Sequence, residues 1–113
     1  MSDLITLKDP RSAAAEAFRV LRTNIQFSAL DQAIHTLLIT SAAADEGKSA
    51  AAANLAVTMA QGGSHVILVD ADLRRPSQHI FWKLDNGHGL TTAILENTAA
   101  STLPLQNTSI DGL

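Results

Sequence analysis

Two short stretches of the chain combine residue types that can hold phosphate and a divalent metal ion. In the first, Leu38-Ile39-Thr40-Ser41-Ala42-Ala43-Ala44-Asp45-Glu46-Gly47-Lys48-Ser49-Ala50, an apolar run leads into a loop that ends in Gly-Lys-Ser and opens an alanine-rich segment. Backbone N–H groups at a helix start have no intrahelical partner and carry the positive end of the helix dipole, so they form an anion site. Gly47 lets the backbone approach phosphate without a side chain in the way. Lys48 supplies a point charge for the β- and γ-phosphates, and Ser49 places its hydroxyl on Mg²⁺. Gly-Lys-Ser also occurs by chance at helix starts. The apolar run before it and the uninterrupted helical stretch after it favour a phosphate loop.

The second stretch, Val66-Ile67-Leu68-Val69-Asp70-Ala71-Asp72-Leu73-Arg74-Arg75-Pro76, puts two carboxylates two residues apart at the end of an apolar run. Open α/β sheets bind ligands at that end of a parallel strand. Asp70 and Asp72 there can organise Mg²⁺ through its waters and accept a proton from an attacking hydroxyl, while Arg74 or Arg75 neutralises charge on a transferring phosphoryl group. The plainer alternative is that both aspartates cap the next helix and both arginines are solvated. Beside a phosphate loop, the metal-organising reading is the better one.

The elements that must position these residues follow from periodicity. Asp9-Pro10 or Ser12 opens a first helix, with Ala14, Phe18, Leu21 and Ile25 at helical spacing. Leu37-Leu38-Ile39 and Val66-Ile67-Leu68-Val69 are short apolar runs of the kind found in strands covered on both faces. Between them, residues 48–61 have strong helix propensity, and Gly62-Gly63 ends the helix. The order is βαβ, which predicts parallel strands with a right-handed crossover. Pro76 and Ser77 open a further helix through Phe81-Trp82, an apolar segment spans Leu90 to Leu95, and residues 96–113 read as loop or disorder. Phe81 and Trp82 read as core packing against the sheet edge, with a place near an adenine or an interface as the alternative.

Composition narrows the function classes. At 113 residues the chain has room for one small core and is short for a complete nucleotide-hydrolysing α/β domain. Its net charge of −3 gives no overall basic field for nucleic acid, and the lack of cysteine excludes disulfides, a thiol nucleophile and a thiolate zinc site. His35, His65, His79 and His88 show no metal-ligand spacing and read as structural or surface residues. No apolar run approaches a membrane span and no leader is evident at the start, so a cytoplasmic protein is expected, reaching a membrane only through a partner.

The loop and the aspartate pair, joined by Ala53-Asn54-Leu55-Ala56, resemble the Walker A and Walker A′ motifs of the bacterial tyrosine kinases of capsule and exopolysaccharide synthesis. Glu16, Arg19 and Arg22 match that family's Glu-x-x-Arg-x-x-Arg pattern. The resemblance runs from about Asp9 to Leu95. It implies an α/β, P-loop NTPase three-layer fold with a mainly parallel sheet, truncated after the first two or three strands and preceded by an N-terminal helix. It divides the chain into an oligomerisation helix at about 12–30, a nucleotide-binding core at 36–95 and a loop at 96–113. Asp45, Glu46, Gly47, Lys48, Ser49 and Ala50 would hold ATP or ADP. Ser49, Asp70 and Asp72 would hold Mg²⁺, and Lys48, Asp70 and Asp72 would be catalytic. Glu16, Arg19 and Arg22 would form a homo-oligomer contact, against a plainer reading as a solvated ion-pair row adding about 0.2–0.5 kcal/mol per pair. The expected activity is phosphoryl transfer from Mg-ATP to protein tyrosine, with a membrane adaptor of the polysaccharide co-polymerase type as partner and no nucleic acid.

Departures from the pattern matter too. Ala42 stands where phosphate loops usually have glycine, and Asp45 replaces another loop glycine. The related MinD and ParA ATPases usually carry a signature lysine where this chain has Ala43, which favours the kinase branch. The Walker B strand and the tyrosine-rich tail of the pattern are not found, and the chain has no tyrosine at all, so it is expected to be inactive as a kinase by itself. A MinD/ParA-like ATPase switch and a catalytically inactive binding or oligomerisation fragment are the alternative functions.

Overall fold

The computed structural model describes residues 4–29, 31–43 and 47–113. Five helices are present among them: α1 (Ile5–Lys8), α2 (Ala13–Phe27), α3 (Lys48–Gln61), α4 (Gln78–Trp82) and α5 (Leu90–Leu95), followed by a 3₁₀ turn at Ala100–Thr102. α2 starts at Ser12, whose hydroxyl accepts the Ala15 N–H at 3.1 Å and donates to the Asp9 carbonyl at 2.8 Å. One side chain thereby satisfies an orphan amide of the first turn and fixes the entry of the chain.

α3 is the centre of the molecule, packed against α2, α1 and α4. Ala53, Leu55, Ala56, Val57 and Ala60 are buried along it, and the small alanines let its neighbours come close. Leu4, Ala53 and Val57 form the innermost cluster, onto which Leu7, Leu68, Phe81, Trp82, Ile110 and Leu113 pack. Burying a side chain the size of Val57 contributes about 1.5–3 kcal/mol. α3 ends in a Schellman motif: the Gly63 N–H bonds the Ala60 carbonyl at 3.0 Å and the Ser64 N–H bonds the Met59 carbonyl at 3.2 Å. That closure puts Gly63 at φ 99°, a conformation glycine adopts without a Cβ penalty.

The short α1 was not expected. Thr6 donates from both its N–H (3.1 Å) and its hydroxyl (2.7 Å) to Asn54 Oδ1, while Asn54 Nδ2 donates to the Ala50 carbonyl at 2.8 Å. Thr6 and Asn54 are buried, so this polar clip fastens α1 to the middle of α3.

The inward face of α2 shares Phe18 and Ile25 with the expected one. Ala15 is buried and Phe18, Arg22 and Ile25 are half-buried, whereas Ala14 and Leu21 are exposed. Ala15 replaces Ala14 and Arg22 replaces Leu21 on the inward row, and Arg22 carries its guanidinium to the end of α3.

The expected parallel sheet is corrected: no residue among those described is in a strand. Residues 36–41 and 66–69 lie in irregular backbone, and the Val66 N–H bonds the Gly112 carbonyl at 2.7 Å. Nor are the two runs covered on both faces, since Leu38 is 83% and Ile67 65% exposed. A strand exists only with a neighbour about 4.8 Å away to complete its ladder, and a βαβ crossover does not by itself put its two strands side by side. Residues 96–113 are largely irregular, but Ile110 and Leu113 dock on the core and the Thr108 hydroxyl donates to the Leu113 carbonyl at 2.9 Å.

Candidate functional site

The N-terminal end of α3 opens onto a cavity of about 620 Å³, a size typical of small-molecule sites. Ser41, Ala42 and Ala43 line one side, Gly47 to Ala50 the floor, and Asp72, Arg75, Ser77 and Phe81 the other side. The sequence thus brings its two chemical stretches to one place. Asp45 and Glu46, expected to contact phosphate, lie outside the described residues.

Gly47 is the N-cap of α3 at φ 76°, ψ 14°, and among the described residues no side chain caps the helix there. The left-handed conformation favours glycine, and a first turn without a cap among the described residues leaves its amides to an anion. Ala42 sits without strain, because the non-glycine residues with positive φ among those described are Lys83 and Asn97.

Lys48 Nζ faces Asp72 Oδ2 at 3.6 Å, both side chains about one-third exposed. The Asp72 carboxyl is held below its ordinary value of 3.8, chiefly by the Arg75 N–H, with burial opposing and the Arg74 N–H and the Lys48 ammonium adding to the lowering. Arg75 and Arg74 donate to Oδ1 at 3.0 and 3.2 Å, which leaves Oδ2 as the oxygen turned to Lys48.

Asp70 is built differently. Its Oδ1 accepts the Asp72 N–H at 3.0 Å, and its Oδ2 accepts the N–H groups of Ser77 (2.9 Å) and Gln78 (3.0 Å). Three backbone donors therefore converge on Asp70, which ties the 70–78 loop together and does not line the cavity. The expected pair is one carboxylate facing the cavity and one clamping the loop that presents it. Arg75 lines the cavity and Arg74 does not.

Sequence reasoning missed Gln78. Its Nε2 donates to the Ser49 carbonyl at 2.9 Å, bridging the start of α4 to the first turn of α3. Its Oε1, like Trp82 Nε1, is buried without a hydrogen-bond partner among the described residues. Such an atom costs about 1–3 kcal/mol. No spacing rule links positions 49 and 78, so only the fold reveals the contact.

Glu16 and Arg19 form an exposed i,i+3 pair at 2.7 Å. Arg22 is separate from them: its guanidinium donates to the Thr58 carbonyl at 2.6 Å, inside the protomer. No cluster of three or more His, Cys, Asp or Glu that could hold a metal occurs among the described residues. A Mg²⁺ ion, which keeps waters and binds through one or two carboxylates plus phosphates, does not need one. Ser49 and Asp72 offer the hard oxygen donors that such an ion takes, side by side with Lys48.

In sequence the chain is similar to bacterial tyrosine-protein kinases, and its fold matches a solved structure of a related protein. It is 44% identical over 97 residues to tyrosine-protein kinase YwqD of Bacillus subtilis, covering 86% of this chain and 41% of that protein. It is 37% identical over 87 residues to tyrosine-protein kinase etk of Escherichia coli K12, covering 77% of this chain and 12% of that protein. The solved structure of the chimerical protein CapA2B2 superposes with a TM-score of 0.88 at 41% identity, covering 97% of this chain and 48% of that one. The chain thus spans less than half the length of the relatives it matches. No protein-family model matches it. No helix among the described residues is long and apolar enough to cross a membrane.

Proposed function

We propose that the chain is the ATP-binding portion of a protein-tyrosine kinase that regulates bacterial capsule or exopolysaccharide synthesis, and that it holds ATP or ADP with Mg²⁺ in the cavity at the start of α3. The observation that carries this reading is the convergence of the uncapped α3 N-terminus, Lys48 and Asp72 on one cavity. Lys48 neutralises charge on the outer phosphates, and the first-turn amides cradle them. Ser49 and Asp72 would hold Mg²⁺, which supplies charge neutralisation to the phosphates when bound. Asp72, kept ionised by Arg75, Arg74 and Lys48, offers Oδ2 either to the metal or to an incoming tyrosine hydroxyl. Asp70 supports it by holding the loop.

Calorimetric titration of the chain with ADP in the presence and absence of Mg²⁺ tests the reading. Saturable binding that Lys48→Met weakens about 10- to 100-fold supports it, and equal affinity in the two proteins removes it. A second titration with a tyrosine-rich peptide, ATP and Mg²⁺ asks for phosphotyrosine. The chain itself cannot be the acceptor, having no tyrosine. We also propose α2 as a homo-oligomer contact through Glu16, Arg19 and Arg22, supported by the outward-facing Glu16–Arg19 pair. Because Arg22 also serves the protomer, the clean test is sedimentation of the Glu16→Ala/Arg19→Ala double variant. A mass unchanged from an oligomeric wild type contradicts the contact.

A further inference from the structure

We infer that Gln78 is a positioning residue of the nucleotide site, coupling the phosphate-binding turn of α3 to the Asp72 loop and so setting the response to Mg²⁺. This rests on the nucleotide-binding reading above.

The contacts form a closed circuit around the cavity. Lys48 Nζ faces Asp72 Oδ2 at 3.6 Å. The Asp72 N–H bonds Asp70 Oδ1 at 3.0 Å, and Asp70 Oδ2 accepts the Gln78 N–H at 3.0 Å. Gln78 Nε2 then reaches the Ser49 carbonyl at 2.9 Å, and Ser49 adjoins Lys48 in the chain. Every other link in this ring is a backbone donor on a carboxylate, a peptide bond or the ion pair itself. Gln78 supplies a side-chain bond that joins the two stretches away from the ion pair.

The amide orientation follows from chemistry, since a backbone carbonyl only accepts and the nitrogen of Gln78 must face it. The Ser49 carbonyl already has its α-helical acceptor role toward Ala53, so α3 does not need Gln78 in order to be a helix. Gln78 Oε1 meanwhile stays buried without a partner among the described residues. A glutamine kept only for stability would be better replaced by an apolar side chain of the same length, because that removes the unsatisfied oxygen. What the apolar side chain cannot do is hold the Ser49 hydroxyl and Asp72 Oδ2 in register as two donors to one cation. Partners that orient metal ligands in this way typically contribute about 10- to 100-fold to metal affinity.

The test compares the wild-type chain with Gln78→Met, which keeps the length and loses the amide, and with Gln78→Glu, which turns an acceptor toward the Ser49 carbonyl. ADP affinity is titrated with and without Mg²⁺, and thermal midpoints are recorded for all three proteins. The expected result is Mg²⁺-free ADP affinity within about twofold of wild type, with the enhancement by Mg²⁺ lowered about 10- to 100-fold in both variants. The midpoint of Gln78→Met should be at or above that of wild type. Full Mg²⁺ enhancement in both folded variants overturns the proposal. Loss of the cooperative melt in both, or equal loss of affinity with and without Mg²⁺, assigns Gln78 a structural role and also overturns it. If wild type fails to bind ADP, or Lys48→Met binds as wild type does, the nucleotide reading falls and this inference falls with it; normal wild-type binding with unaltered Gln78 variants sinks this inference alone.

Discussion

The two ends of α3 are opposites. At its C-terminal end the chain satisfies its own carbonyls: the Schellman bonds of Gly63 and Ser64 close on Ala60 and Met59, while Gly62 and the Arg22 guanidinium both reach the Thr58 carbonyl. At the N-terminal end no side chain among the described residues caps the helix, and Gly47, Lys48 and Ser49 open onto a cavity. Each end has about four orphan backbone groups, carbonyls at the C-terminal end and amides at the N-terminal end. One end uses them for stability, and the other keeps them for a ligand. A cation beside helical carbonyls strengthens the fold, whereas a cation beside helical amides adds to the local positive charge and awaits an anion.

Breaking the open end should give the largest effect. Lys48→Met is expected to lower ADP affinity about 10- to 100-fold, the range of a lost charge-assisted bond, with little change in the thermal midpoint. Calorimetry and melting on the same sample check it, and a large loss of stability would blur the contrast between the ends. Breaking the closed end should do the reverse. Arg22→Met is expected to cost about 1–2 kcal/mol in urea unfolding while ADP affinity stays constant. Gly63→Ala forces a Cβ into the left-handed region and should cost about 1 kcal/mol by the same measurement.

The smallest effect sharpens the electrostatics of the open end. Asp72 titrates below 3.8 in the folded chain, so its contribution to stability is present above that value and is lost as the pH falls through the folded-state value. The stability difference between wild type and Asp72→Asn should therefore be level above about pH 5 and close in more acidic solution. Unfolding curves across that range decide it, and a gap that widened toward acid would show that the charge is not stabilised by its neighbours.

What could be read in advance divides along local and non-local lines. Helices α2 and α3 were legible because their signals are local: Ser12 before an alanine run, Gly47 before Lys48, and Gly62-Gly63 after Gln61. Lys48 and Asp72 were legible as candidates because each sits in a motif of contiguous residues, and the fold brings them to one cavity. The state of residues 36–41 and 66–69 was not, since an apolar run measures a tendency to be covered and says nothing of the neighbour that completes a ladder. α1 is too short for periodicity to register. Arg22 looked like a member of a surface row until the path of α3 brought Thr58 beneath it. Asp70 and Asp72 looked equivalent because spacing alone cannot tell which carboxylate the loop folds around.

The clip between Thr6 and Asn54 has a consequence for hydrogen exchange. Thr6 belongs to the first turn of a four-residue helix, where an amide would ordinarily exchange with water almost unhindered. Here it bonds the side chain of a residue 48 positions away on α3, in a buried setting. Bringing such distant residues together costs on the order of 3 kcal/mol of chain entropy, so the bond forms only when α3 is already in place to receive it. The Thr6 amide should then exchange on the slow timescale of the α3 amides, well behind its neighbours in α1. Deuterium uptake at that one amide becomes a built-in gauge of whether the central helix is folded.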